Sequence, residues 1–257
     1  MRLLKMILRV FDLITRLVCL LVLALGLYSA ADTVYLYREA YDNSTLRFRN
    51  GYSHDGGFSE IQVPENAAGW LYLEGAGVDA PVMQGKDNLE YLNKNPAGEF
   101  SLSGSLFLDS RCAGDFTDSY SLIYGHHMEH HLMFGALDQY LEKDFFDSHP
   151  EGILYTDNDS YRLEIIAVAV CSAYEADVFS LSDDERVRAF IHTGAMYFRP
   201  SDMSGRILAM STCQYPDTAA RTVVFAMIRE KLKGEDYEQS AFNSGCRNAG
   251  TQSAAAV

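Results

Sequence analysis

Between Trp70 and Ile228 the chain runs as short apolar segments, each closed by a turn signal, and that punctuation points to many short strands. Trp70-Leu71-Tyr72-Leu73 and residues 78–83 flank Gly75-Ala76-Gly77, a hairpin signal. Residues 105–108 and 120–124 are apolar runs bounded by turns. Residues 153–156 and 161–171 are separated by Asp157-Asn158-Asp159-Ser160, a second hairpin signal. Residues 206–210 and 222–228 bring the total to about eight strands, which predicts a barrel or a sandwich. Two helices are expected among them. Residues 132–146 carry Phe134, Leu137, Leu141 and Phe145 at helical spacing, and residues 183–198 open with acidic side chains, which suit the positive end of a helix dipole.

The N-terminus has a different character. Residues 17–31 read LVCLLVLALGLYSAA, with no charge. Counted from Leu13, with Arg16 reaching back to the interface, an apolar helix here spans about 28 Å at ~1.5 Å per residue, close to one hydrocarbon thickness. Arg2, Lys5, Arg9 and Arg16 precede it against one Asp12, which predicts a cytoplasmic N-terminus and an extracellular remainder. Ser29-Ala30-Ala31 could end a cleaved signal peptide, but the basic-plus-apolar region is long for one, so an uncleaved single-pass anchor is expected over residues 1–31. Residues 32–62 read as a helical or linker lead-in with a Gly- and Ser-rich loop at 51–57. Residues 63–233 form the folded domain, and the small, polar residues 234–257 a disordered tail.

Charge excludes one class of partner. The first 16 residues carry +3, which leaves −17 for the rest of a chain whose formal charge is −14. An acidic body without a basic stripe does not bind nucleic acid. Five cysteines are present, Cys19 in the apolar segment and Cys246 in the tail. Cys112, Cys171 and Cys213 remain, an odd number for a disulfide framework and without the CxxC spacing of a thiolate zinc site.

Three features could carry chemistry. Tyr124-Gly125-His126-His127-Met128 ends an apolar strand in a histidine, Met210-Ser211-Thr212-Cys213 ends another in a cysteine, and Arg221 opens the last strand. A hairpin between the last two strands would return Arg221 to Cys213. A cysteine attacks as thiolate, a histidine can take and return a proton near neutral pH, and an arginine can hold the negative charge that develops on a carbonyl oxygen. Taken singly, such residues are more often a buried small hydrophobe, a structural histidine and a surface charge. A rival lies in the same histidine run. His126-x-x-Glu129-His130 matches the H-x-x-E-H pattern of inverted zinc peptidases, although that chemistry needs both histidines on one continuous helix, and a strand and a glycine precede His126. A catalytically silent surface-binding domain is the third reading.

In order along the chain, Ala68-Gly69-Trp70-Leu71, Val78-Asp79-Ala80-Pro81-Val82-Met83-Gln84, Asp87-Asn88-Leu89-Glu90-Tyr91-Leu92, Gly104-Ser105-Leu106-Phe107-Leu108-Asp109, Tyr124-Gly125-His126-His127-Met128, Met133-Phe134-Gly135-Ala136-Leu137 and Ser211-Thr212-Cys213 with Arg221 downstream resemble the class B sortases of Gram-positive bacteria. The resemblance covers about residues 63–229. It implies a mainly β fold with added helices, an eight-stranded sortase-type barrel with an N-terminal transmembrane helix, and a helical insertion before the last strands. It implies Cys213 as nucleophile, His126 as its histidine, Arg221 as the arginine that orients substrate or steadies the oxyanion, and Ser211 and Thr212 as substrate-binding residues. His127 falls at a variable position. Ala209 and Met210 depart from the family's Thr and Leu before that Ser-Thr-Cys. The implied reaction is cleavage of a C-terminal sorting signal after threonine, then transfer of the acyl group from a thioacyl-enzyme to an amine of peptidoglycan or of a pilin. Its partners are surface proteins carrying that signal. No metal or other cofactor is required.

Overall fold

The computed structural model describes residues 2–40, 64, 66–128, 131–156, 159–181, 183–213 and 219–232, with residue 213 described by its backbone. The chain divides near Asp42 into two compact units.

The first unit holds one helix, α1 (Arg2–Ala40). Its apolar residues face outward all round, with Leu13, Leu20 and Leu27 each more than half exposed. Lys5–Tyr35 is long and apolar enough to cross a membrane by length and composition. The helix does not stop at Ala31, because no proline or glycine between Leu27 and Ala40 interrupts it. The expected lead-in therefore begins as a continuation of α1. The expected loop at 51–57 and the tail at 234–257 lie outside the described residues.

Among the described residues, the second unit is built on eleven strands: β1 (Ala67–Leu73), β2 (Val78–Met83), β3 (Leu106–Leu108), β4 (Tyr120–Gly125), β5 (His127–Met128), β6 (Leu132–Met133), β7 (Glu151–Tyr155), β8 (Ser160–Ser172), β9 (Tyr197–Phe198), β10 (Arg206–Cys213) and β11 (Ala220–Lys231). Eight of them run in the order β11-β10-β4-β3-β2-β1-β7-β8, and pairing of β8 with β11 closes the ring. This is the expected eight-stranded barrel. Closure leaves no open edge among the eight. β9 adds to the outside of β8, and β5 and β6 form a small separate ribbon.

Strand alternation sorts the side chains into two layers. Leu71, Leu108, Ile123, Leu208, Met210, Val224 and Ala226 fill the barrel. Leu122, Ile207, Ala209, Val223 and Phe225 face outward, where Val187 and Ile191 of α4 (Asp184–Gly194) cover them. Asp183 caps that helix by accepting from the Glu185 amide at 3.0 Å. The expected helix over 183–198 thus ends at Gly194, and Tyr197 and Phe198 leave it to pair with Val168 and Ala167.

The other expected helix is divided. Leu132–Met133 is strand, Phe134–Leu141 is a 3-10 helix, and α2 (Lys143–Ser148) follows. Met133 holds a left-handed φ of 49°, which breaks helical continuity at that point. Gly135 passes so close to β5 that an added Cβ would stand 2.0 Å from the Met128 carbonyl oxygen. The helical spacing still marks the inward side: Phe134 and Leu137 plug the barrel interior, with Leu141 and Phe145 partly buried against it, and Tyr140, outside that spacing, is buried with them.

Candidate active site

Four strand ends meet at one end of the barrel. β4 and β10 run parallel and finish together at Gly125 and Cys213, while β8 ends and antiparallel β11 begins beside them. Two successive rows of the register matter. In one, Gly125 pairs with Thr212 and Thr212 with Thr222. In the next, Cys213 pairs with Arg221, and Arg221 with Cys171 on its other side. Directly paired residues share a face of a sheet, so residue 213 and Arg221 stand on the same outward face as Ser211. His126 is the first residue after Gly125, beside this second row.

Gly125 turns the histidine outward. A Cβ there would meet Leu106 Cδ2 at 2.6 Å and the Phe134 ring at 2.7 Å, so the backbone itself lies against the barrel plug. The His126 ring is then fixed by one bond, Nε2 to the Leu92 carbonyl oxygen at 2.8 Å. A carbonyl accepts only, so Nε2 carries the hydrogen and Nδ1 keeps the lone pair in the neutral ring. Burial lowers the His126 pKa below the ordinary 6.5, the positive charge of Arg221 lowers it further, and the bond to Leu92 offsets part of both. His126 is therefore a neutral base at pH 7, with Nδ1 able to take a proton.

That balance can be measured. His126 is expected to titrate below pH 6.5 when its ring resonances are followed by NMR. Arg221→Gln removes a cation that opposes protonation, so the same titration should move upward. An unmoved curve would mean that Arg221 does not act on this ring.

The two residues expected at the substrate are placed differently. Ser211 shares the outward face, and its Oγ is buried without a hydrogen-bond partner among the described residues. Thr212 is fully buried and alternates to the interior side, in register with Thr222. Cys171 lies on the outward face beside Arg221, but burial foremost, with Glu175 adding to it, pushes its thiol up to about 12. It stays protonated and unreactive at neutral pH. Cys112 is a buried free thiol pushed up to about 11, chiefly by burial.

The histidine run does not form a zinc-peptidase helix. His127 and Met128 are strand, so His126 does not lead into a continuous helical turn. Glu129 and His130 lie outside the described residues. Among the described residues, no group of three or more potential metal-ligating side chains gathers.

The Sortase domain family matches residues 71–229, well over half of the chain. The chain belongs to the sortase family. This sortase is 33% identical to Sortase B of Listeria monocytogenes over 158 residues, 59% of this chain and 64% of that protein. It is 29% identical to Sortase B of Staphylococcus aureus over 65% of this chain and 72% of that one. Among solved structures, a Streptococcus pyogenes class B sortase involved in pilus biogenesis superposes with a TM-score of 0.60 at 34% identity, covering 65% of this chain and 94% of that one. Its relatives place this sortase in class B.

One buried polar cluster near these strand ends could not be found from motifs. Asp109 is fully buried, and its carboxylate accepts from Arg111 Nε at 2.9 Å and Nη2 at 2.8 Å, from Asn88 Nδ2 at 2.9 Å and from Tyr124 Oη at 3.1 Å. Burial works to raise its pKa, but the Arg111 and Asn88 bonds together hold it below the ordinary carboxylate value. Arg111 also donates to the carbonyls of Phe179 and Ser180 at the end of α3 (Ala176–Phe179). One carboxylate thus joins the segment leading to Leu92, the strand leading to His126 and the insertion that leaves β8 beside Arg221. The sequence signal was Asp109 and Arg111 two residues apart, which is too common to stand out.

Proposed function

We propose that this chain is a membrane-anchored cysteine transpeptidase that cleaves a C-terminal sorting signal after threonine and passes the acyl group to an amine. The observation that carries the reading is the register that sets Cys213 beside Arg221 with His126 at the next strand end. The roles follow from the chemistry of each group. The Cys213 thiol gives its proton to His126 Nδ1 and its sulfur attacks the threonine carbonyl carbon. The oxygen that becomes negative is held by the Arg221 guanidinium, which stays charged throughout. When the carbon–nitrogen bond breaks, His126 returns the proton to the leaving amine, and a thioacyl-enzyme remains. An acceptor amine then attacks that thioester, His126 takes its proton, and Cys213 is released as thiol. Ser211, with its unpartnered Oγ on the same face, supplies a hydrogen bond to the peptide. Thr212 supports the nucleophile from the interior side.

The substrates in this reading are surface proteins that carry the sorting signal. The acceptor is a peptidoglycan or pilin amine. α1 anchors the enzyme in the cell membrane, because its apolar stretch matches one hydrocarbon thickness, and the basic residues before that stretch keep the N-terminus inside. The test uses the full chain in detergent with a panel of fluorogenic sorting-signal peptides. Cleavage of at least one peptide is expected, blocked by thiol alkylation and untouched by a chelator. The reverse pattern would favour a metallopeptidase, and no cleavage at all a silent binding domain.

A further inference from the structure

The histidine next to His126 has its own partner, and that partner reaches across the site. His127 Nε2 bonds Asp138 Oδ2 at 2.8 Å, and the other oxygen of the same carboxylate accepts from Thr222 Oγ1 at 2.9 Å. His127 follows His126 in β5, and Thr222 follows Arg221 in β11. Thr222 is also in register with Thr212, the residue before Cys213, and Thr212 with Gly125, the residue before His126. Each of the three reacting residues therefore has a chain neighbour in one layer on the interior side of the barrel end. Asp138 is the side chain that ties the His127 and Thr222 sides of that layer together. It stands on the 3-10 segment whose Phe134, Leu137 and Tyr140 plug the barrel, so it is held by a rigid part of the core.

We propose that Asp138 is a positioning residue of the transpeptidase site, which fixes His126 relative to Arg221 by bridging their neighbours His127 and Thr222. This rests on the sortase reading given above. Asp138 touches no substrate and takes no proton. Its carboxylate bonds residues of two elements, the β5 ribbon and the first residues of β11. The competing account is a partly exposed ion pair of the ordinary kind. The His127 side chain is 17% exposed and that of Asp138 29%, and pairs so open to water contribute little to stability. The two accounts differ in what they disturb. A positioning bridge costs turnover without a matching loss of folding stability, whereas an ordinary pair costs a little stability and no turnover.

The experiment compares His127→Ala, Asp138→Ala, the double variant and Asp138→Asn in the full chain. An asparagine keeps the shape and can still accept from Thr222 and bond His127. His127→Ala and Asp138→Ala are each expected to lower kcat about tenfold with KM unchanged, as for other residues that orient catalytic groups. The double variant should lose no more than either single one, since one bridge is broken in all three. Asp138→Asn should keep kcat within about threefold. A second measurement does not depend on activity. Displacement of Arg221 from His126 moves the His126 titration seen by NMR, so Asp138→Ala should shift that curve and Asp138→Asn should restore it. Fully additive losses, an unchanged kcat in both alanine variants, or a His126 titration identical in wild type and Asp138→Ala would each overturn the proposal. If the wild-type protein cleaves no peptide, the sortase reading fails, and the His126 titration alone decides whether Asp138 sets this geometry.

Discussion

Cys213→Ala is expected to remove cleavage of every sorting-signal peptide, by a factor of about a thousand or more, and to leave the fold intact. The size of the loss follows from the chemistry. Without the sulfur there is no thioacyl-enzyme, and neither His126 nor Arg221 can replace a nucleophile. The second half of the expectation follows from the strand. Cys213 is the last residue of β10, and the buried residues that hold that strand, Leu208, Ala209 and Met210, lie earlier in it. The register of β10 with β4 and β11 is set by eight successive pairs on one side and six on the other. Loss of one sulfur at the end does not undo them. The variant should melt within a few degrees of the parent and keep its circular dichroism spectrum. A variant that cleaves at the parental rate would remove Cys213 from the mechanism. A thiol probe offers an independent check, because Cys171 and Cys112 are held protonated by burial. Mild alkylation at neutral pH should therefore mark Cys213 before either of them.

The barrel was legible because its strands are short and each ends in a turn that the sequence spells out. Gly75 and Gly77 both hold left-handed φ values, of 73° and 83°, at the turn where the spacing placed a hairpin. The ends of β4 and β10 were legible for a related reason: a glycine before His126 and a polar run after Met210 mark where apolar alternation stops. What could not be read was carried by contacts between distant segments. The break in the helix over 132–146 comes from the β5–β6 ribbon, whose pairing claims Leu132 and Met133 before a helix can form. Helical spacing reports which side chains face the core, and a 3-10 turn satisfies the same spacing over eight residues. The bonds of Asp109 and Asp138 were invisible, since each acidic residue is one of 35 in the chain and its partners stand up to 84 positions away. The histidine cluster was the hardest case. Four histidines in six positions look alike in sequence, and it is the bond partners of the first two, a backbone carbonyl for His126 and a carboxylate for His127, that separate them.

That separation gives the second large effect. His126→Ala is expected to reduce turnover about a thousandfold, and His127→Ala only about tenfold. Both rings are partly buried and both are hydrogen-bonded, so packing does not distinguish them. The difference lies in which nitrogen is left with a lone pair and where it stands. The Leu92 carbonyl fixes the hydrogen of His126 on Nε2, which leaves Nδ1 as base, and burial together with Arg221 keeps that ring neutral at pH 7. His127 spends its Nε2 on Asp138, which ties the ring to the interior layer behind Thr222. Its outer neighbour His126 follows the glycine that pairs with Thr212, one position from Cys213. Burst kinetics give a further distinction. A His126 variant should fail both in forming the thioacyl-enzyme and in releasing the amine, because one proton serves both steps. A His127 variant should still show a burst, only slower. If instead His127→Ala is the silent variant and His126→Ala retains turnover, the carboxylate-bonded ring is the base, and Asp138 is then its orienting partner in the reaction itself.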